Sequence, residues 1–162
     1  MTHTPTQTQL CERTQNRMRR DKEFLAFYDE ALDLLIDHKV AGARGKALRL
    51  TLQLCQPRYY LDYQHAYPIV CGIIRHGQCN KTMPLHRDMW NELADKVQAV
   101  IDVSGLSIAK ALEFVLMHGR ASRFFLTEPY AKDNLLRAHK DRQQRLDAIE
   151  RRKQLLKEFI AA

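Results

Sequence analysis

The sequence predicts an all-α protein: two divergent three-helix units in tandem, sharing a core, with a long C-terminal helix. Three observations predict it. The chain repeats itself about 65 positions apart. Leu35-Ile36-Asp37 returns as Val100-Ile101-Asp102, Lys46-Ala47-Leu48 as Lys110-Ala111-Leu112, and Arg58-Tyr59-Tyr60-Leu61 as Arg123-Phe124-Phe125-Leu126. Self-similarity of this kind marks a duplicated supersecondary unit. Apolar residues also recur every three or four positions, the period of a helix. Glycine and proline number only 6 and 5, too few for the many turns of an all-β sandwich.

Each element follows from local signals. Asp21 to His38 reads as an amphipathic helix through Phe24, Tyr28, Leu32, Leu35 and Ile36. Val40-Ala41-Gly42 breaks it. A second helix runs from Arg44 to Gln56, and Pro57, which has no N–H to donate, ends it. Arg58 to Leu61 is an extended aromatic link. Asp62 is the N-cap of a third helix, Tyr63 to His76, with Pro68 as a kink or a later first turn. Met89, Leu93, Val97, Val100 and Ile101 then line a fourth helix at the positions of Phe24, Tyr28, Leu32, Leu35 and Ile36. Ser107 caps a fifth, which Gly119 closes. Thr127 caps the sixth, with Glu128 and Pro129 in its first turn. The sixth helix extends to about Phe159. It carries a heptad-like row of Leu135, His139, Arg142, Leu146, Ile149, Lys153, Leu156 and Ile160. Asp133/Arg137, Asp141/Arg145 and Asp147/Arg151 are in the favourable helical order for ion pairs on a solvated face.

The domain reading is accordingly a flexible N-terminal segment (1–20), a first unit (21–76), a linker (77–84), and a second unit with an extended last helix (85–162). No apolar run approaches the ~20 residues that cross a bilayer. The Thr- and Gln-rich start lacks the apolar stretch of a secretory signal. Cys11, Cys55, Cys71 and Cys79 therefore read as reduced thiols of a cytoplasmic protein.

Charge is the strongest functional signal. Between His38 and Arg87 stand eight basic residues: Lys39, Arg44, Lys46, Arg49, Arg58, Arg75, Lys81 and Arg87. The only acid there is Asp62. That stretch accounts for the whole net charge of +7. Clustered cations with few carboxylates suit a polyanion, whose condensed counterions they displace. The candidate contacts are Arg44, Lys46, Arg49, Arg58, Lys81 and Arg87, with Lys110, Arg120 and Arg123 as second-unit counterparts. They would grip phosphates; no set of side chains reads as base-specific. The aromatic pairs beside Arg58 and Arg123 could stack on bases, but their recurrence as aromatics reads as core.

Other chemistries fit less well. The helix pairs are too widely separated for a helix-turn-helix. Cys71, His76, Cys79 and His86 lack the paired short spacings of common zinc sites. No phosphate loop, nucleophile elbow or HExxH motif is present. Cys55 or Cys79 beside a histidine is the one thiol-nucleophile option. The expectation is a small cytoplasmic nucleic-acid-binding protein, DNA before RNA, regulatory or accessory, without cofactor, metal or catalytic residues. The alternative is a helical interaction module that self-associates through the last helix.

Overall fold

The structure, a computed structural model, describes residues 12–162. The first part of the expected flexible segment, and Cys11, lie outside the described residues. The protein is all-α: six helices and, among the described residues, no strand beyond one isolated bridge. They are α1 (Glu12–Asp37), α2 (Ala43–Leu54), α3 (Tyr63–His76), α4 (Pro84–Ser104), α5 (Ile108–His118) and α6 (Glu128–Ala161).

α1 starts well ahead of the predicted Asp21, so residues 12–20 are helical rather than flexible. A polar contact with α6 anchors it just ahead of the apolar stripe. The Arg20 guanidinium lies 5.8 Å from the centre of the Tyr130 ring. Asp21, only 3% exposed, pairs with Arg20 and with Arg137 of α6, at 3.3 and 2.9 Å. Apolar periodicity begins at Phe24, so it does not report these turns. The same contact corrects the expected Asp133/Arg137 pair: Arg137 turns inward to Asp21. α1 ends where Val40 N–H donates to the Leu35 carbonyl around Lys39, whose φ of 53° is left-handed.

The caps match their residue types in two cases out of three. The Asp62 carboxylate accepts from Gln64 N–H (3.0 Å) and the Ser107 hydroxyl from Lys110 N–H (3.3 Å). Thr127 stands at the N-cap of α6 but its side chain accepts no cap bond. Pro68 lies inside α3, which starts at Tyr63. Pro68 is exposed, so water can serve the carbonyl that its missing N–H leaves free. Gly119 closes α5: its N–H donates to the Val115 carbonyl as the backbone turns extended, and a Cβ there would lie 2.5 Å from that oxygen.

The helices pack as two trios. α1, α2 and α6 touch one another, and so do α3, α4 and α5. Phe24, Leu25, Tyr28, Ala47, Leu48, Cys55, Phe124, Ala131 and Ala138 fill the first trio. Tyr59, Ala66, Val70, Trp90, Leu93, Ala94, Val97, Ala111, Leu112, Val115 and Ala121 fill the second. Each trio therefore combines two helices from one half of the sequence with the third helix of the other half. The links cross to make this possible. Arg58 and Arg120 form an antiparallel β-bridge, and Ala121 N–H donates to the Pro57 carbonyl at 2.7 Å. Tyr59 of the first link enters the α3/α4/α5 core. Phe124 of the second enters the α1/α2/α6 core and meets Phe24 edge-on, ring centres 5.0 Å apart. One ring of each aromatic pair is thus fully buried, and Tyr60 and Phe125 are half-buried beside it.

Candidate nucleic-acid interface

The folded chain separates the candidate cations by what they already hold. α2 buries Ala47, Leu48 and Thr51, which leaves Lys46 and Arg49 exposed on its other side. Arg44 is exposed in the first turn of α2. It lies near enough to Tyr28 to oppose the upward push that burial gives that phenol. Lys110 opens α5 and is also exposed, with Ala111 and Leu112 turned into the core. Arg58 is exposed on the first link. Lys81, half-buried, and Arg87, exposed, flank the start of α4, where free N–H groups add positive potential.

Two candidates are engaged. Arg120 Nη1 donates to Glu23 Oε1 at 2.9 Å and to the Gln56 carbonyl at 3.5 Å. Arg123 sits 3.8 Å from Asp88 and 5.1 Å from the centre of the Phe125 ring. Both remain partly exposed, and both connect elements across the crossing. The crossing thus brings Arg58 beside Arg120, and Arg123 to Asp88 of α4.

The distribution of ion pairs is the informative quantity. Seven are formed among the described residues: Arg20–Asp21, Lys96–Glu92, Arg120–Glu23, Arg123–Asp88, Lys132–Glu128, Arg137–Asp21 and Arg142–Asp29. None takes its cation from residues 38–87. Asp62, the lone acid of that block, caps α3 and shares a hydrogen bond with Glu12 at the start of α1, whose carboxyl is raised by burial and by Asp62. Lys39 and Arg75, absent from the candidate contacts, are exposed and equally without a described carboxylate. The charge imbalance of the block was the signal that could have included them.

Sequence reasoning gave no role to Glu23 and Glu92, which organise the crossing. Glu92 accepts from the Tyr59 hydroxyl, from Ser122 Oγ (2.5 Å) and from Ser122 N–H (2.9 Å), with Lys96 at 3.5 Å. Glu23 accepts from the Tyr60 hydroxyl and from Arg120. Burial first, and then the bonded carboxylates, push both tyrosine phenols up, so they stay protonated donors. Burial alone would raise the Glu92 carboxyl. The bonds from Ser122 and Tyr59 and the charge of Lys96 outweigh it and hold that carboxyl below its usual range. Apart from Lys96, these partners lie 30 or more positions apart, beyond any local pattern.

The alternative chemistries find little here. Cys55, Cys71 and Cys79 are free thiols. Burial, and then the charge of Glu23, push Cys55 up to about 11, so it is protonated at neutral pH and a poor nucleophile. Cys71 is buried while His76 and His86 are exposed. Among the described residues no three His, Cys, Asp or Glu side chains gather as a metal site. No described helix is long and apolar enough to cross a membrane. No protein-family model, curated protein or solved structure matches the chain.

Proposed function

We propose that this protein binds nucleic acid, duplex DNA in preference to RNA, as a cytoplasmic regulatory or accessory protein. The observation that carries the reading is the unpaired block. Among the described residues none of the eight cations of 38–87 forms an ion pair with a carboxylate, and every ion pair draws on cations elsewhere. Paired cations contribute little to a polyanion, because binding must first separate them from their carboxylates. Unpaired ones act fully through counterion release. Arg44, Lys46, Arg49, Arg58, Lys81, Arg87 and Lys110 are the primary contacts. Arg120 and Arg123 mainly hold the crossing in place. The preference for DNA follows from the helical fold, whose described residues form no sheet of the kind on which many RNA readers stack bases.

Fluorescence anisotropy with labelled duplex DNA, single-stranded DNA and RNA, each at low and high salt, tests the reading. Affinity should fall steeply with salt. Lys46→Ala/Arg49→Ala should weaken binding across unrelated sequences and reduce the salt slope by about 0.9 for each phosphate left without its cation. Arg120→Ala should change affinity less, since that guanidinium already holds Glu23. No binding even at low salt refutes the proposal.

A further inference from the structure

α6 leaves the body before it ends. Its buried positions are Ala131, Asn134 and Ala138. Its last ion pair to another helix joins Arg142 to Asp29 at 2.8 Å. From Arg142 to the C-terminus every residue is exposed. Helices in proteins draw most of their stability from packing an apolar face rather than from propensity. Yet Leu146, Ile149, Leu156 and Ile160 are 52, 50, 57 and 82% exposed. With Lys153 they occupy successive a and d positions of a heptad. Leu155 and Phe159, also exposed, widen the apolar face over the last two turns.

We infer that the same stretch of a second copy of this chain covers the stripe from Ile149 to Ile160, with the two helices antiparallel. Charge selects the orientation, and the pairing that results is reciprocal between two identical helices. A parallel, in-register pair would set Arg145 against the partner's Glu150, but also Lys153 against the partner's Lys153 and Arg152 against the partner's Lys157, so like charges prevail at the seam. In the antiparallel register that packs Ile149 on the partner's Ile160, Lys153 lies beside the partner's Leu156. Glu150 then faces the partner's Lys157, and symmetry repeats the pair. Antiparallel helices also hold two chains of net charge +7 at opposite ends, where their repulsion is most screened. Symmetric, isologous pairing of this kind is the commonest form of self-association. The inference stands apart from the nucleic-acid reading, although a particle with a basic body at each end would engage a long polyanion at two points.

Analytical ultracentrifugation of the full chain tests it, at up to about 100 μM so that an association as weak as that Kd is populated. The native protein should sediment as two copies. Ile149→Glu/Leu156→Glu should sediment as one, with unchanged Trp90 fluorescence showing that the body is intact. Lys157→Glu should weaken the association by about tenfold, because it sets Glu150 against a new acid on each side. Adding Glu150→Lys should restore it. A native chain that sediments as one copy, or a dimer that survives the double glutamate substitution, overturns the inference. A tighter dimer in Lys157→Glu overturns the antiparallel orientation, since in a parallel pair that change would relieve Arg152.

Discussion

Glu92 stands where α4 receives both crossing links, and its environment makes a pH-dependent prediction at the residue scale. Its carboxyl lies below the usual range when folded, through the bonds from Ser122 and Tyr59 and the charge of Lys96. A depressed folded pKa stabilises the fold above the unfolded value, about 4.3 for glutamate. That stabilisation is lost as pH falls through the folded value. Glu92→Gln should therefore lower stability by about 1–2 kcal/mol at neutral pH and flatten the loss of stability below about pH 4. Urea titrations of both proteins at pH 7 and in the acid range measure it. An unchanged acid profile in the variant would mean that the bonds around Glu92 contribute nothing net. Tyr59, Tyr60, Phe124 and Phe125 were legible as packing residues because the aromatic character recurs. Glu23 and Glu92 were not, because a carboxylate on a helix surface looks the same whether it meets water or a distant tyrosine.

At the scale of elements, helix ends were read best where a single residue type sets the geometry. Asp62, Ser107 and Gly119 each act through their own chemistry and the nearest turn of backbone. Asp62→Ala removes the acceptor of Gln64 N–H and should cost about 1 kcal/mol. For a chain of this size that lowers the melting temperature by about 2–4 °C, as circular dichroism at 222 nm would record. Affinity for nucleic acid should not fall, since Asp62 is the only acid in the basic block and its loss raises the local positive charge. The start of α1 was misread for the complementary reason. Tyr130 and Arg137 of α6 anchor it at Arg20 and Asp21, and the polar turns ahead of them offer no apolar period.

On the scale of the whole molecule, the exchange of third helices has an energetic consequence. Neither trio can form from one half of the sequence, because α3 completes the α4/α5 core and α6 completes the α1/α2 core. The crossing links add the Pro57–Ala121 bond and the Glu23 and Glu92 networks between them. Unfolding should then be a single cooperative transition. Trp90, the only tryptophan, is buried in the α3/α4/α5 core, so its fluorescence reports one trio while circular dichroism reports both. The two signals should share one midpoint in urea. Phe124→Ala, in the other core, should destabilise by about 3–5 kcal/mol and move the fluorescence midpoint together with the circular dichroism. Fluorescence that stays put in this variant would mean two independent cores.

The sequence by itself determined the helical class, the order of six helices, most of their ends and the charge of the basic block. These depend on period, on capping chemistry and on counting, all properties of neighbouring residues. Only the tertiary structure decided that α3 joins α4 and α5 while α6 joins α1 and α2. Related apolar faces such as those through Ala66 and Ala131 offer equivalent partners on either side. The pattern that defines a face does not say which of two similar faces it will meet. The same holds for the cations. Sequence counts them, but whether Arg120 holds Glu23 while Lys46 faces water depends on a chain crossing that places residues 97 positions apart within hydrogen-bond distance.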